Sequence, residues 1–259
     1  MTNRIGDVHI LRDGFIARVT IDKPPINAVS VELMSNLADA LEMLDRDGVT
    51  RAVVLATAGK VFCSGADLSN RTSEGPIPER SINPLYDQAV RLFSTELPII
   101  AAVQGAAIGA GLGLSLIADF RVAAPEAKFA ANFTKLGFHP GFGLTYTLPR
   151  LIGRQHAAMM FLTGARYDGA EALEMGLVDD LVDVSRLLER AHTMAATIAE
   201  NAPLAVRSTR KTLRGEMAAA VRAATDHEFA EQQWLMKTDD FKEGVKAVSE
   251  RRTGDFKGR

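Results

Sequence analysis

The sequence predicts an α/β core followed by an α-helical C-terminal part. Two observations carry this prediction. Short apolar runs bounded by turn residues recur at 51–56, 99–103 and 120–123, with helical patterns between and before them. From about residue 145 onward the apolar residues fall at helical spacing, broken once by GLVDDLV at 176–182.

Taken in order, residues 8–12 and 15–21 alternate apolar and polar around Asp13-Gly14. That dipeptide favours the tight turn of a β-hairpin. Ser30 can cap a helix running to about Asp47, with Leu33, Leu37, Leu41 and Leu44 on one stripe and Gly48 as its stop. Residues 51–56 read as a buried strand, and 57–70 as a turn-rich loop. The polar stretch 71–83, with Pro76 and Pro78, reads as a lid or insert. Strands follow at 99–103, 120–123 and 128–130. No repeats or low-complexity linkers interrupt the chain.

At 259 residues the chain is long enough for one hydrophobic core and an appendage. Thirty basic against 32 acidic residues leave a net charge of −2, without the basic excess of a dedicated nucleic-acid binder. The single Cys63 excludes an intrachain disulfide and fits a reducing compartment. The first residues, MTNRIGDVHILRDG, lack an apolar leader segment, so a cytoplasmic protein is expected. His, Cys and Asp show no clustered metal-binding spacing, and no metal is expected.

Residues 97–118 carry no charge, and Gly105, Gly109 and Gly113 repeat at the spacing of packed membrane helices. Pro98, Gln104 and Ser115, together with strand-like LPIIAAV, favour a buried strand, tight turn and buried helix instead, so no membrane span is expected. Gly109-Ala-Gly111-Leu-Gly113 is neither a Walker loop nor a dinucleotide fingerprint. Two loops remain, VFCSGADLS (61–69) and QGAAIGAGLG (104–113), each after a strand and each built of small residues. One main-chain N–H from each would make an oxyanion hole, which stabilises charge on a carbonyl oxygen. Equally, their glycines could serve only tight helix–strand packing.

KPPINAVS (23–30), FCSGADLS (62–69), AAVQGAAIGAGLGLSLIADFRVAA (101–124), KLGFHPGFGLTYTLPRLIG (135–153) and the tail FKEGVKAVSERRTGDFKG (241–258) resemble the ordered signatures of the crotonase, or enoyl-CoA hydratase/isomerase, superfamily. The resemblance covers nearly the whole chain. It implies a spiral of ββα units, with an acyl-CoA-binding core at 1–195 and a helical trimerisation region at 196–259. A homotrimer or dimer of trimers would bind an acyl-CoA thioester, with no cofactor beyond the coenzyme A of the substrate. By the same resemblance the oxyanion donors are the N–H groups of Ala66 and Ala110. Ile26, Ala28, Ser64, Asp67 and Leu68 fall at positions lining the CoA groove, Gly109, Phe133 and Leu136 at the acyl site, and Phe256 and Lys257 where tail residues reach a neighbour's CoA.

Hydratases of this family carry two glutamates that activate water and move the Cα proton. Here those positions read Gly113 and Phe133, and neither side chain can exchange a proton. Each such acid or base is worth on the order of 10²–10⁴ in rate, so ordinary hydration is not expected. His139, in GFHPGFG, is the substitute acid/base candidate, with an imidazole poised near neutral pH; ordering its own loop is the alternative role. Tyr146, Glu74, Glu79 and Asp87 are further candidates, and nothing near Cys63 marks an activated thiolate. Two functions stay open. One is an enzyme working through a stabilised enolate, by isomerisation, C–C cleavage or thioester hydrolysis. The other is a non-catalytic acyl-CoA binding protein.

Overall fold

Strands β1 (Thr2–Ile5), β2 (Val8–Asp13) and β3 (Ile16–Ile21) form an antiparallel meander, with Asp13 and Ile16 paired across the expected turn. The computed structural model describes residues 2–66 and 83–259. Helix α1 (Val31–Arg46) follows, its Ser30 Oγ accepting from the Leu33 N–H at 3.2 Å. It returns the chain to β4 (Ala52–Thr57), which pairs parallel to β3. After α2 (Pro84–Phe93), β5 (Ile99–Val103) pairs parallel to β4. The short β6 (Ala106–Ile108) and α3 (Ala110–Ser115) lead to β7 (Phe120–Ala123), parallel to β5. Near the sheet's end, β10 (Asp180–Leu181) pairs parallel to β7, giving the order β1-β2-β3-β4-β5-β7-β10. A second, three-stranded sheet joins β6 to β8 (Lys128–Ala130) and β9 (Tyr167–Asp168).

Side chains alternate across a strand, and β4 shows what each face buries. Val53 and Leu55 join the main core with the α1 stripe Leu33, Leu37, Leu41 and Leu44. Ala52, Val54 and Ala56 face the other way, onto α6 (Leu187–Ala199). That helix presents Leu187, Ala191, Ala195 and Ala199 at i, i+4 spacing, a stripe of mostly methyl-sized residues that lets it lie close to the sheet. The boundary expected at 195/196 thus falls inside a helix that covers the core.

Beyond α6 run α7 (Pro203–Arg214), α8 (Met217–Leu235) and α9 (Asp239–Ser249). The basic face of α7 reaches carbonyls at or just beyond the C-terminal ends of three other helices. Arg207 donates to the Asp45 carbonyl of α1, Arg214 to Phe93 of α2, Arg210 to Thr95 beyond α2, and Arg214 again to Ile117 beyond α3. Helix C-termini leave unpaired carbonyls and partial negative charge, so cations there satisfy both needs. Asp119, whose carboxylate also accepts from the Ile99 N–H at 2.9 Å, pairs with Arg210 and Arg214.

The structure differs from the sequence reading in detail. Strands β1, β6, β9 and β10 were not foreseen; the last three have only two or three residues each, too few to show a period. The glycine-rich helix is one of six residues, preceded by a strand rather than by a turn alone. Helix α4 (Leu144–Thr163) is kinked where Gly153 leaves helical geometry at φ 79°, ψ 158°. Among the described residues no helix is long and apolar enough to cross a membrane.

Candidate active site

The two small-residue loops lie side by side. The Cys63 N–H donates to Ala106 at 2.9 Å and the Ile108 N–H to Cys63 at 3.0 Å, a parallel bridge that ties the first loop to β6. Two glycines make the approach possible. Gly65 sits at φ 90°, and a Cβ there would stand 2.7 Å from the Ile108 carbonyl oxygen and 3.6 Å from the Ala110 nitrogen. A Cβ on Gly111 would be 2.2 Å from the Cys63 carbonyl oxygen. Residues 23–30 flank the other side: Ser64 N–H donates to Ile26 and Val29 N–H to Gly65, while the Asn27 carboxamide holds Ala58 and Val61.

Among the described residues, the N–H groups of Ala66 and Ala110 donate to no acceptor. Both residues line one cavity of about 270 Å³. Its walls are mainly apolar, with Leu85, Phe133, Leu136, Phe138, Phe142 and Val245 contributing. Phe133 and Phe138 meet edge-on at 5.5 Å. No carboxylate, imidazole, amine or guanidinium lines it among the described residues. Its one phenol, Tyr86, donates at 2.8 Å to Gln232 Oε1, whose amide donates on to the His139 and Pro140 carbonyls. A Cβ on Gly113 would lie 2.6 Å from Cδ1 of Phe142. Phe142 itself has φ 65°, a costly conformation for an aromatic residue. The loop carrying it is clamped from α8: the buried Glu228 carboxylate accepts from the N–H groups of Gly143 and Thr145 and from the Thr145 hydroxyl, at 2.6–2.9 Å. Burial pushes the Glu228 pKa up to about 7, with those three donors pulling it down.

Of the residues singled out from sequence, Ser64, Ala66, Gly109, Ala110, Phe133 and Leu136 come together in this cavity. Ile26 adjoins them through its bond from Ser64, and Ala28 lies on the same flanking segment. Asp67, Leu68, Glu74 and Glu79 lie outside the described residues. His139 is not among the residues that line this cavity. The loop turns its carbonyl toward Gln232 and its ring outward, where Nδ1 meets the Pro140 carbonyl at 2.9 Å and the ring meets His227 edge-on. It lines a second cavity with Trp234 and Phe256. Lys257 is exposed and paired with Asp255 at 2.7 Å. Tyr146 packs beneath Arg150, and Asp87 pairs with Arg222 at 2.8 Å. Burial drives the Cys63 pKa up to about 12, which keeps it a thiol. Sequence reading missed Tyr86, Asn132, Gln232 and Glu228. Only Asn132 carried a signal, standing directly before Phe133.

The enoyl-CoA hydratase/isomerase family model matches residues 12–259. A short-chain-enoyl-CoA hydratase of Clostridium acetobutylicum is 32% identical over 259 residues, covering 98% of this chain and 99% of that protein. A 1,2-epoxyphenylacetyl-CoA isomerase of Escherichia coli is 32% identical over 250 residues, covering 94% and 95%. Among solved structures, an enoyl-CoA hydratase/isomerase from Pseudoalteromonas atlantica T6c superimposes with a TM-score of 0.86 at 30% identity, covering 97% of this chain and 100% of that one.

Proposed function

Because the chain belongs to the enoyl-CoA hydratase/isomerase family of the crotonase superfamily, we propose that it binds an acyl-CoA thioester and acts on it through an enolate, without two-glutamate hydration. The supporting observation is the pair of unengaged N–H groups, Ala66 and Ala110, on abutting loops beside an apolar cavity. A thioester carbonyl oxygen there would accept both bonds, and they would strengthen as Cα loses its proton and charge moves onto that oxygen. With a 3-enoyl thioester the enolate extends to Cγ, and return of the proton there shifts the double bond; this needs no water at the place that Phe142 and Phe133 fill. Tyr86 is the described wall residue whose hydroxyl could work both ways: ionised to the phenolate, its oxygen would take the Cα proton, and the phenol so formed would return it to another carbon. The assembly in this reading is a homotrimer or dimer of trimers, with Leu162, Leu204 and Leu213 as exposed apolar residues available for contacts.

A specific observation favours the carrier alternative: the described cavity wall has no carboxylate or imidazole to turn a substrate over. One experiment separates the two. Purified protein is incubated with a panel of acyl- and enoyl-CoAs, and both bound thioester and product are read by mass spectrometry. The enzyme reading expects an isomerised thioester, with turnover unaffected by His139→Ala and lowered by Tyr86→Phe. Tight binding with no product from any member would leave a carrier. No binding at all would overturn both readings.

A further inference from the structure

Asn132 opens the 3-10 turn Asn132–Leu136 and lines the cavity beside Phe133. A Cβ on Gly109, the residue before the Ala110 donor, would stand 3.8 Å from the Asn132 Oδ1 and 3.6 Å from the Phe133 ring. The carboxamide is therefore next to the second oxyanion loop. Most other polar groups of the wall are already engaged. Tyr86 and Gln232 bond each other, Asn83 caps α2 by accepting from the Leu85 N–H, and Ser249 donates to the Lys246 carbonyl. The Asn132 carboxamide bonds no described residue, although it is half-buried. The Ser64 hydroxyl is likewise unengaged.

An amide in such a place offers two donors and an acceptor, and it neither gains nor loses a proton near neutral pH. Its natural role is recognition. A site built to hydrogen-bond a substrate oxygen disfavours the analogue that lacks it, because its own polar group is then left unpaired. Asn132 adjoins Gly109, the residue before the Ala110 donor, so a thioester oxygen held at Ala66 and Ala110 would bring the first carbons of its acyl group near this carboxamide. Of the two unengaged polar side chains of the wall, Asn132 and Ser64, Asn132 is the one set beside the Phe133 ring, where the other neighbours are apolar.

We infer that Asn132 is a specificity-determining residue, selecting acyl thioesters that carry a hydroxyl or oxo oxygen on Cα or Cβ over the plain acyl chain. The inference rests on the thioester-binding reading above and narrows its substrate class.

The test is equilibrium dialysis of the full-length protein with butyryl-, 2-hydroxybutyryl- and 3-hydroxybutyryl-CoA, read by mass spectrometry so that any conversion is also seen. One well-placed hydrogen bond gives the preferred hydroxylated thioester an affinity about tenfold above butyryl-CoA. Asn132→Leu is expected to bring that ratio to about one. Asn132→Ala gives the same loss of ratio and serves if the leucine variant does not fold. Equal affinities of the wild-type protein for all three ligands, or a ratio that survives both substitutions, would overturn the assignment to Asn132. Failure to bind any of the three would overturn the thioester-binding reading itself.

Discussion

At Gly113 any side chain would compete with the Phe142 ring, whose Cδ1 lies 2.6 Å from an added Cβ. Gly113→Glu is therefore expected to destabilise the protein by about 1–3 kcal/mol or more through overpacking. Phe142→Gly removes the ring and suits φ 65°, so the double variant should recover part of that loss. A denaturation double-mutant cycle checks this; strictly additive effects would show that the two positions do not share one space. Glu228 carries a second residue-scale prediction. Its folded pKa of about 7 lies above the ordinary 4.5, so the fold prefers the protonated form. That contribution is complete below about pH 4.5, falls as pH rises to about 7, and amounts to at most ~3 kcal/mol by linkage. Denaturation midpoints between pH 4 and 8 (about the range in which carboxylates and this group titrate) should show the wild type losing stability relative to Glu228→Gln as pH rises. A pH-independent difference would mean that the carboxylate is already ionised throughout.

Helix α7 shows how an element can be basic without serving an anionic ligand. Its arginines are spent on carbonyls near the ends of α1, α2 and α3 and on Asp119. Burial lowers the pKa of Arg214, helped by the neighbouring charges of Arg210 and Arg121 and opposed by Asp119. Removing one partner of a buried ion pair strands the other, and Arg210→Met is expected to cost about 3–5 kcal/mol. A lower urea midpoint with an unchanged slope would report this; a midpoint within error of wild type would assign the clamp to Arg214 alone.

Across the whole molecule, what was legible in the sequence follows from local pattern. The α1 stripe, the strands at 52–57, 99–103 and 120–123, and the Asp13-Gly14 turn each declare themselves within a few residues, because burial on one side imposes a period. That the two small-residue loops belong to one cavity was legible, because small residues recur after two strands and the family signatures run through both. The rest depends on long-range pairing. Tyr86 and Gln232 are 146 residues apart, and nothing near either one announces the other. The orientation of His139 is decided by the same distant glutamine, which takes its carbonyl and leaves its ring to a separate cavity. A loop sequence alone gives residue types but not which way each side chain turns.

The clamp from α8 also sets an order of events during synthesis. Gly143 and Thr145 wait for a carboxylate 85 and 83 residues further along, and the carbonyl of His139 for an amide 93 residues further. At ribosomal speeds of about 5–20 residues per second, the loop that closes the cavity goes unsupported for roughly 4–20 s after it is made. The sheet and α1 can be assembled well before then, whereas the pocket acquires its final wall only as the last helices emerge. A nascent chain stalled before α8 would therefore hold a nearly complete sheet beside an unfinished binding site.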